Sequence, residues 1–256
     1  MPIIQTCYSP ALYPLFEEPE TIVVVVDIFR ATSAICTALD NGVAKMIPVA
    51  GLDEARKYKE MGYMVAAERN AIKEEGFDLG NSPFDYLGDI VKGKTIAIST
   101  TNGTQAIEAA KSASTVVIGS FLNVSSLAEW LIIQQKNVLI LCSGWKNKYN
   151  MEDSLFAGLL SLELLKQKEF ETACDSTIAA GHLYNLAKDD MFTFLEYSSH
   201  RKRLKNLHLE NDITYCLTLN TMTTIPIYFE GGLVSLTPEV LMQMGEESLV
   251  VSEKKS

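Results

Sequence analysis

Between residues 21 and 167, apolar runs of strand length alternate with amphipathic stretches of helical length, and few folds accept that alternation. The run 21–28 (TIVVVVDI) is β-branched and uninterrupted, as expected of a strand buried on both faces. The stretch 31–42 (ATSAICTALDNG) carries Ala34, Ile35, Ala38 and Leu39 at helical spacing and stops at Asn41-Gly42, a good C-terminal cap. Further strands are predicted at 44–50, 63–67, 94–99, 114–120 and 137–143, with helices at 52–62, 103–112 and 125–135. Pro48 argues for a position near a sheet edge, because proline cannot donate to a ladder. From about 151 the pattern turns helical, at 151–167, 174–188 and 198–209, and a late run at 224–229 offers one more strand. The expected class is α/β: three-layer α/β/α with a mostly parallel, mixed sheet and a helix-rich C-terminal part. One domain over 1–256 is expected, with lobes 1–145 and 146–256 as the alternative division. Residues 68–82 (ERNAIKEEGFDLGNS) read as long and irregular, which in an α/β domain points to function.

Composition narrows the partners. A formal net charge of -10 makes nucleic acid a poor partner, so any affinity for phosphate must be local. No apolar run approaches the ~20 residues of a membrane span. The opening MPIIQTCYSP lacks a signal-peptide pattern, and a cytoplasmic location without a membrane partner is expected. Five cysteines, widely spread and never in C-x-x-C, argue against a disulfide framework or zinc knuckle. Three histidines form no H-x-x-x-H pair, so a bound metal would draw on oxygen ligands, as magnesium, manganese or calcium do.

Ligands of open α/β sheets bind beyond the carboxyl ends of the strands. After the first predicted strand come Asp27, Arg30 and Thr32; after 94–99 come Thr100, Thr101, Asn102, Gly103 and Thr104; after 137–143 comes GWKNKYNMED, with Glu152 and Asp153 opening a helix. Each cluster alone is explained by helix capping or by the helix dipole. Three polar exits on one rim fit a shared site better. A helix N-terminus offers free N–H donors and partial positive charge to an anion, and carboxylates nearby can hold a hard cation. The chain carries neither G-x-x-x-x-G-K-[ST] nor G-x-G-x-x-G.

The same residues carry a family resemblance. VVVVDIFRATSAICTALDNG (23–42), AERNAIKEEGFDLGNSP (67–83), STTNGTQAI (99–107), IGSFLN (118–123), LCSGWKNKYNMEDSLFAG (141–158), SSHRKRL (198–204) and NDITYC (211–216) resemble, in order, blocks of the 2-phosphosulfolactate phosphatase family. Ala67 stands where that family usually has glycine, and Ser143 where Cys-Ala-Gly is common; neither change removes a candidate ligand. The resemblance implies a Mg²⁺-dependent phosphatase of coenzyme M-type biosynthesis that converts (2R)-2-phospho-3-sulfolactate to 3-sulfolactate and phosphate, with a homodimer as a compatible assembly.

On this reading Asp27, Glu68, Glu152 and Asp153 are the candidate Mg²⁺ ligands, and Asp27, Arg30 and Asn102 the candidate catalytic residues. Thr100, Thr101, Gly103, Thr104, Arg69 and Asn123 are the candidate residues for binding a small phosphorylated anion. The nucleophile is a water activated at the metal or the Asp27 carboxylate. His200 as general acid and Arg201 or Arg203 as sulfonate or carboxylate anchors are minor candidates, beside the simpler account of 199–208 as a solvated basic face. Asp175 and Asp212 read as helix caps, and Trp130 and Trp145 as packing residues. A haloacid-dehalogenase-type site needs D-x-D, and Ile28 and Phe29 follow Asp27 here. Two alternatives stay open: an isochorismatase-like hydrolase using Cys142, and a module that binds an anionic metabolite without turnover.

Overall fold

The computed structural model describes residues 1–245. The first half of the chain runs β1 (Ile4–Cys7), β2 (Ile22–Val26), α1 (Ala31–Asp40), β3 (Lys45–Pro48), α2 (Leu52–Glu60), β4 (Met64–Arg69), β5 (Ile72–Lys73), β6 (Thr95–Ser99) and α3 (Gly103–Ala110). It continues with β7 (Thr115–Gly119), α4 (Val124–Gln134), β8 (Val138–Cys142), α5 (Met151–Leu165), α6 (Asp175–Ala187), α7 (Met191–Phe194), α8 (Ser199–Asn206), α9 (Glu210–Cys216), β9 (Pro226–Phe229), β10 (Gly232–Ser235) and α10 (Pro238–Gln243). The class is α/β, a mostly parallel mixed sheet between helical layers.

Ten strands pair in the order β1-β8-β2-β7-β9-β10-β3-β6-β4-β5. Two parallel blocks, β1-β8-β2-β7 and β3-β6-β4, are joined by the antiparallel hairpin β9-β10, which comes from late in the chain and sits mid-sheet. β2 shows why the layers close. Ile22, Val24 and Val26 pack into the core shared with α4, α5 and α6, while Val23 and Val25 pack into the opposite core with α1 and α3. All five are essentially inaccessible, and each such side chain contributes about 1.5–3 kcal/mol of hydrophobic stabilisation.

Four features differ from the sequence expectation. β3 lies between β10 and β6 rather than at an edge. Pro48 is tolerated because Lys45 and Val49 send their N–H groups towards the β6 side, which turns Pro48 the other way, beyond the single β10 pair at Met46. β1 is an unexpected strand parallel to β8; its Gln5 and Thr6 interrupt the apolar pattern. Residues 68–73, read as irregular, complete β4 and turn back as β5 through Asn70 and Ala71, both left-handed at φ 55° and 69°. The run 224–229 supplies half of the central hairpin, and its partner β10 and the short helices α7, α9 and α10 extend the C-terminal part. Residues 246–256 of the expected domain lie outside the described residues.

Candidate active site

The site begins where β2 ends. The Asp27 N–H donates to Thr32 Oγ1 (3.1 Å) and the Asp27 carbonyl accepts from the Thr32 N–H (3.0 Å). These bonds close the backbone into α1 and leave the carboxylate to face the next strand exit. Gly103, the first residue of α3, packs there so closely that a Cβ on it would lie 3.0 Å from Asp27 Oδ2 and 2.5 Å from Ala31 Cβ. Burial pushes the Asp27 carboxyl up to about 6; His200 opposes the rise, and the Glu68 and Glu152 charges reinforce it.

At the end of β6 the threonines divide their labour. Thr100 Oγ1 accepts from the Thr104 N–H (3.1 Å), and Thr104 Oγ1 donates to the Thr100 carbonyl (2.8 Å). Both hydroxyls are thus committed to the first turn of α3 and not to a ligand, while Asn102, at the N-cap, makes no side-chain capping bond of its own. Asn102 Oδ1 accepts the Lys146 N–H (3.2 Å), tying this loop to the one after β8. Thr101 Oγ1 lies 3.4 Å from Glu68 Oε2.

The third exit follows β8. Asp153, with no exposed surface, accepts four hydrogen bonds: Ile28 N–H (2.9 Å) on Oδ1, and Ser143 Oγ (3.2 Å), Gly144 N–H (3.2 Å) and Asn150 Nδ2 (2.9 Å) on Oδ2. It ties the β8 exit to the β2 exit, so the expected role of direct metal ligand is replaced by a structural one. Burial, with the Asp27 and Glu152 charges, holds its carboxyl well above the usual range. Glu152 Oε1 meets His200 Nδ1 at 2.6 Å, while Oε2 is buried without a hydrogen-bond partner. A carboxylate is an acceptor, so Nδ1 carries the proton and Nε2 is the ring nitrogen left for chemistry.

The fourth contribution comes from β4 and its turn. The Glu68 side chain accepts the Ala71 N–H, and Arg30 Nη2 donates to the Ala71 carbonyl (2.7 Å). Ala71 is therefore gripped on both sides of a left-handed residue that glycine would usually occupy. Arg30 Nη1 also pairs with Asp212 Oδ2 at 2.5 Å, both side chains being buried. Asp212 is thus the partner that fixes Arg30, not a helix cap. Arg69 is committed to the Glu68 carbonyl (2.6 Å) and Ser99 Oγ (3.0 Å).

These exits surround one polar pocket. Of the sequence-predicted residues, Asp27, Arg30, Glu68, Thr101 and Asn102 line it. Gly103, Glu152 and Asp153 stand behind the lining, and Thr100, Thr104 and Arg69 are turned to other partners. Asn123 is not in the site: its amide caps the turn at Ser120 (3.0 Å to the Ser120 N–H) and donates to Thr224 (3.0 Å), so the expected substrate contact is corrected. Phe29, Ala71, Asn81, Trp145, His200 and Arg203 complete the wall. Trp145 is a wall residue rather than plain loop packing, whereas Trp130 is buried in the core as expected. Asp175 is exposed at the start of α6. Arg201 donates to the Phe192 carbonyl and stacks on its ring at 3.6 Å, away from the pocket. Cys142 is fully buried with its thiol raised well above the usual value by burial, the opposite of an activated nucleophile.

Among the described residues, no three or more His, Cys, Asp and Glu side chains are grouped to hold a metal. The expected four-carboxylate set is therefore not a closed cage. Magnesium rarely uses one; it takes one or two carboxylates, waters and substrate oxygens. Asp27 in the lining and the orphaned Oε2 of Glu152 fit that demand, since a cation would satisfy a buried oxygen that otherwise has no partner. Among the described residues no helix is long and apolar enough to cross a membrane.

Comparison with known proteins points to the same family as the resemblance above. A family model described as 2-phosphosulpholactate phosphatase matches residues 7–231. A protein of Caldanaerobacter subterraneus subsp. tengcongensis named "Probable 2-phosphosulfolactate phosphatase" is 39% identical over 211 residues, 81% of this chain and 87% of its own length. A Thermotoga maritima protein of the same name is 39% identical over 208 residues, covering 81% and 89%. One from Clostridium botulinum (strain Alaska E43 / Type E3), also so named, is 33% identical over 221 residues, covering 85% and 92%. With its strand exits gathered at one pocket and this match along most of its length, the chain belongs to the 2-phosphosulpholactate phosphatase family.

Proposed function

We propose that this chain hydrolyses the phosphate monoester of (2R)-2-phospho-3-sulfolactate, releasing 3-sulfolactate and phosphate, with Mg²⁺ as cofactor. The reading carries with it a cytoplasmic, coenzyme M-type biosynthetic role, which the family resemblance implies. The observation that supports it most is the meeting of Asp27, the Thr101–Asn102 stretch and the His200–Glu152 pair around one polar pocket.

Mg²⁺ held at Asp27 and Glu152 Oε2 would neutralise phosphoryl charge as a Lewis acid. The chain's own groups do the rest. The exit of β6, at the N-terminus of α3, receives the phosphoryl oxygens beside Thr101 and Asn102. Asp27, which lines the pocket, accepts the proton of the attacking water. As the new P–O bond forms, the bond from phosphorus to the C2 oxygen breaks. The imidazolium form of His200, protonated on both ring nitrogens and oriented through Nδ1 by Glu152, donates its Nε2 proton to that leaving oxygen. Arg30, locked by Asp212 and Ala71, keeps a positive charge against the wall.

The test is phosphate release from 2-phospho-3-sulfolactate by the full chain. Release with Mg²⁺ that stops in EDTA is expected. Tight substrate binding without release would replace this reading by a binding module.

A further inference from the structure

Resting on that reading, we propose that Arg203 is the specificity-determining residue that takes one of the two non-transferred anions of the substrate, its sulfonate. The pocket wall holds two arginines, and their states differ. Arg30 has its fork filled by Asp212 and the Ala71 carbonyl. Arg203 has neither a hydrogen-bond nor an ion-pair partner among the described residues, and its Nε is buried and unsatisfied. It is not loose. Its Cζ lies 3.4 Å over the Trp145 ring, which holds the guanidinium in place while its N–H donors keep no protein partner among the described residues.

A pre-stacked guanidinium with an unfilled edge suits a weakly hydrated oxyanion that presents two or more coplanar acceptors. The acidic side chains Asp27 and Glu68 share this pocket, yet neither pairs with Arg203. Arg203 reaches the wall from α8, with His200, whereas the phosphoryl end is assigned to the exit of β6. The phosphoryl group is thus assigned to α3 and the sulfonate to α8, with the ester oxygen between them near His200, while the C1 carboxylate is common to this ester and to 2-phospholactate. The substrate class that follows is a 2-phospho acid with a strong anion on the neighbouring carbon. A monoester lacking that anion leaves Arg203 unfilled and is selected against.

The test compares kcat/KM for 2-phospho-3-sulfolactate and 2-phospholactate in the natural chain, Arg203→Lys and Arg203→Met. The natural chain is expected to prefer the sulfonated ester at least 100-fold, through KM. That ratio is expected to fall more than 30-fold in Arg203→Met and by an intermediate factor in Arg203→Lys, whose charge survives without the fork. A second readout needs no turnover. Only two tryptophans are present, so 3-sulfolactate binding is expected to change the Trp145 fluorescence of the natural chain, and lactate to leave it unchanged. An unaltered preference ratio in Arg203→Met, or equal binding of lactate and 3-sulfolactate by the natural chain, overturns the assignment. Absent phosphate release with sulfonate binding intact overturns the phosphatase reading instead.

Discussion

His200 Nδ1 lies 2.6 Å from Glu152 Oε1, joining the helix after β8 to a histidine in an otherwise basic helix 48 residues later. The same carboxylate accepts from Asn150 Nδ2 at 3.2 Å, so its position is fixed from its own first turn as well. Ring orientation by a carboxylate is a common way to set which imidazole nitrogen faces a substrate.

Glu152→Gln removes both the orienting partner of His200 and a proposed Mg²⁺ ligand, so it is expected to keep the fold and lower kcat by more than the roughly 10–100-fold typical of losing an orienting partner alone. Urea unfolding checks the fold and steady-state rates at saturating Mg²⁺ check kcat; an unchanged kcat would contradict the role given to Glu152.

Gly103→Ala tests the closeness of α3 to Asp27. The added Cβ would sit 2.5 Å from Ala31 Cβ and 3.0 Å from Asp27 Oδ2, and neither neighbour is the end of a flexible chain. A loss of about 1–3 kcal/mol in unfolding free energy is expected, together with at least tenfold lower kcat. Denaturant unfolding and steady-state rates measured on one sample check it. Unchanged activity would mean that α3 does not abut the reacting carboxylate.

Asp212→Asn leaves Arg30 buried without its counter-charge. Breaking a buried pair typically costs about 3–5 kcal/mol, so a loss of that size in the unfolding free energy read from urea titration is expected. Residual activity is expected to fall as well, because the Ala71 turn loses the arginine that grips it.

The carboxyl of Asp27 titrates near 6 in the folded chain, above its ordinary 3.8, so the native state binds more protons than the unfolded chain between those values. Stability of the metal-free protein therefore rises as pH falls through 6, and Asp153 acts in the same direction. Between pH 7 and 5, Asp27 alone contributes a gain of about 1 kcal/mol. Urea unfolding in EDTA at the two pH values reads it. Stabilisation by added Mg²⁺ is expected to run the other way, shrinking below pH 6 as Asp27 protonates.

Much of this site is legible in the sequence because its polar residues follow buried strands, and a strand's carboxyl end is where an α/β sheet presents its ligands. Asp27, Thr101 and Asn102 are found that way. Thr100 and Thr104 are not separable from them by sequence, since hydroxyls that cap a helix and hydroxyls that bind a ligand look alike until their partners are known. His200 and Arg203 sit in a basic stretch whose ordinary fate is a solvated helix face. Their burial depends on Glu152 and Trp145, residues some 50 positions earlier. The β9-β10 hairpin is hidden for a similar reason: only the tertiary fold turns a short late run into the seam of the sheet.

Crystals soaked with Mn²⁺ and inorganic phosphate, examined at an anomalous wavelength for manganese, test the convergence of the three strand exits most directly. The expected result is one manganese peak contacting Asp27, with phosphate beside it against Asn102 and the first turn of α3. Metal and phosphate bound in separate places, or neither bound at Asp27, would contradict the catalytic assignment and leave the fold alone standing.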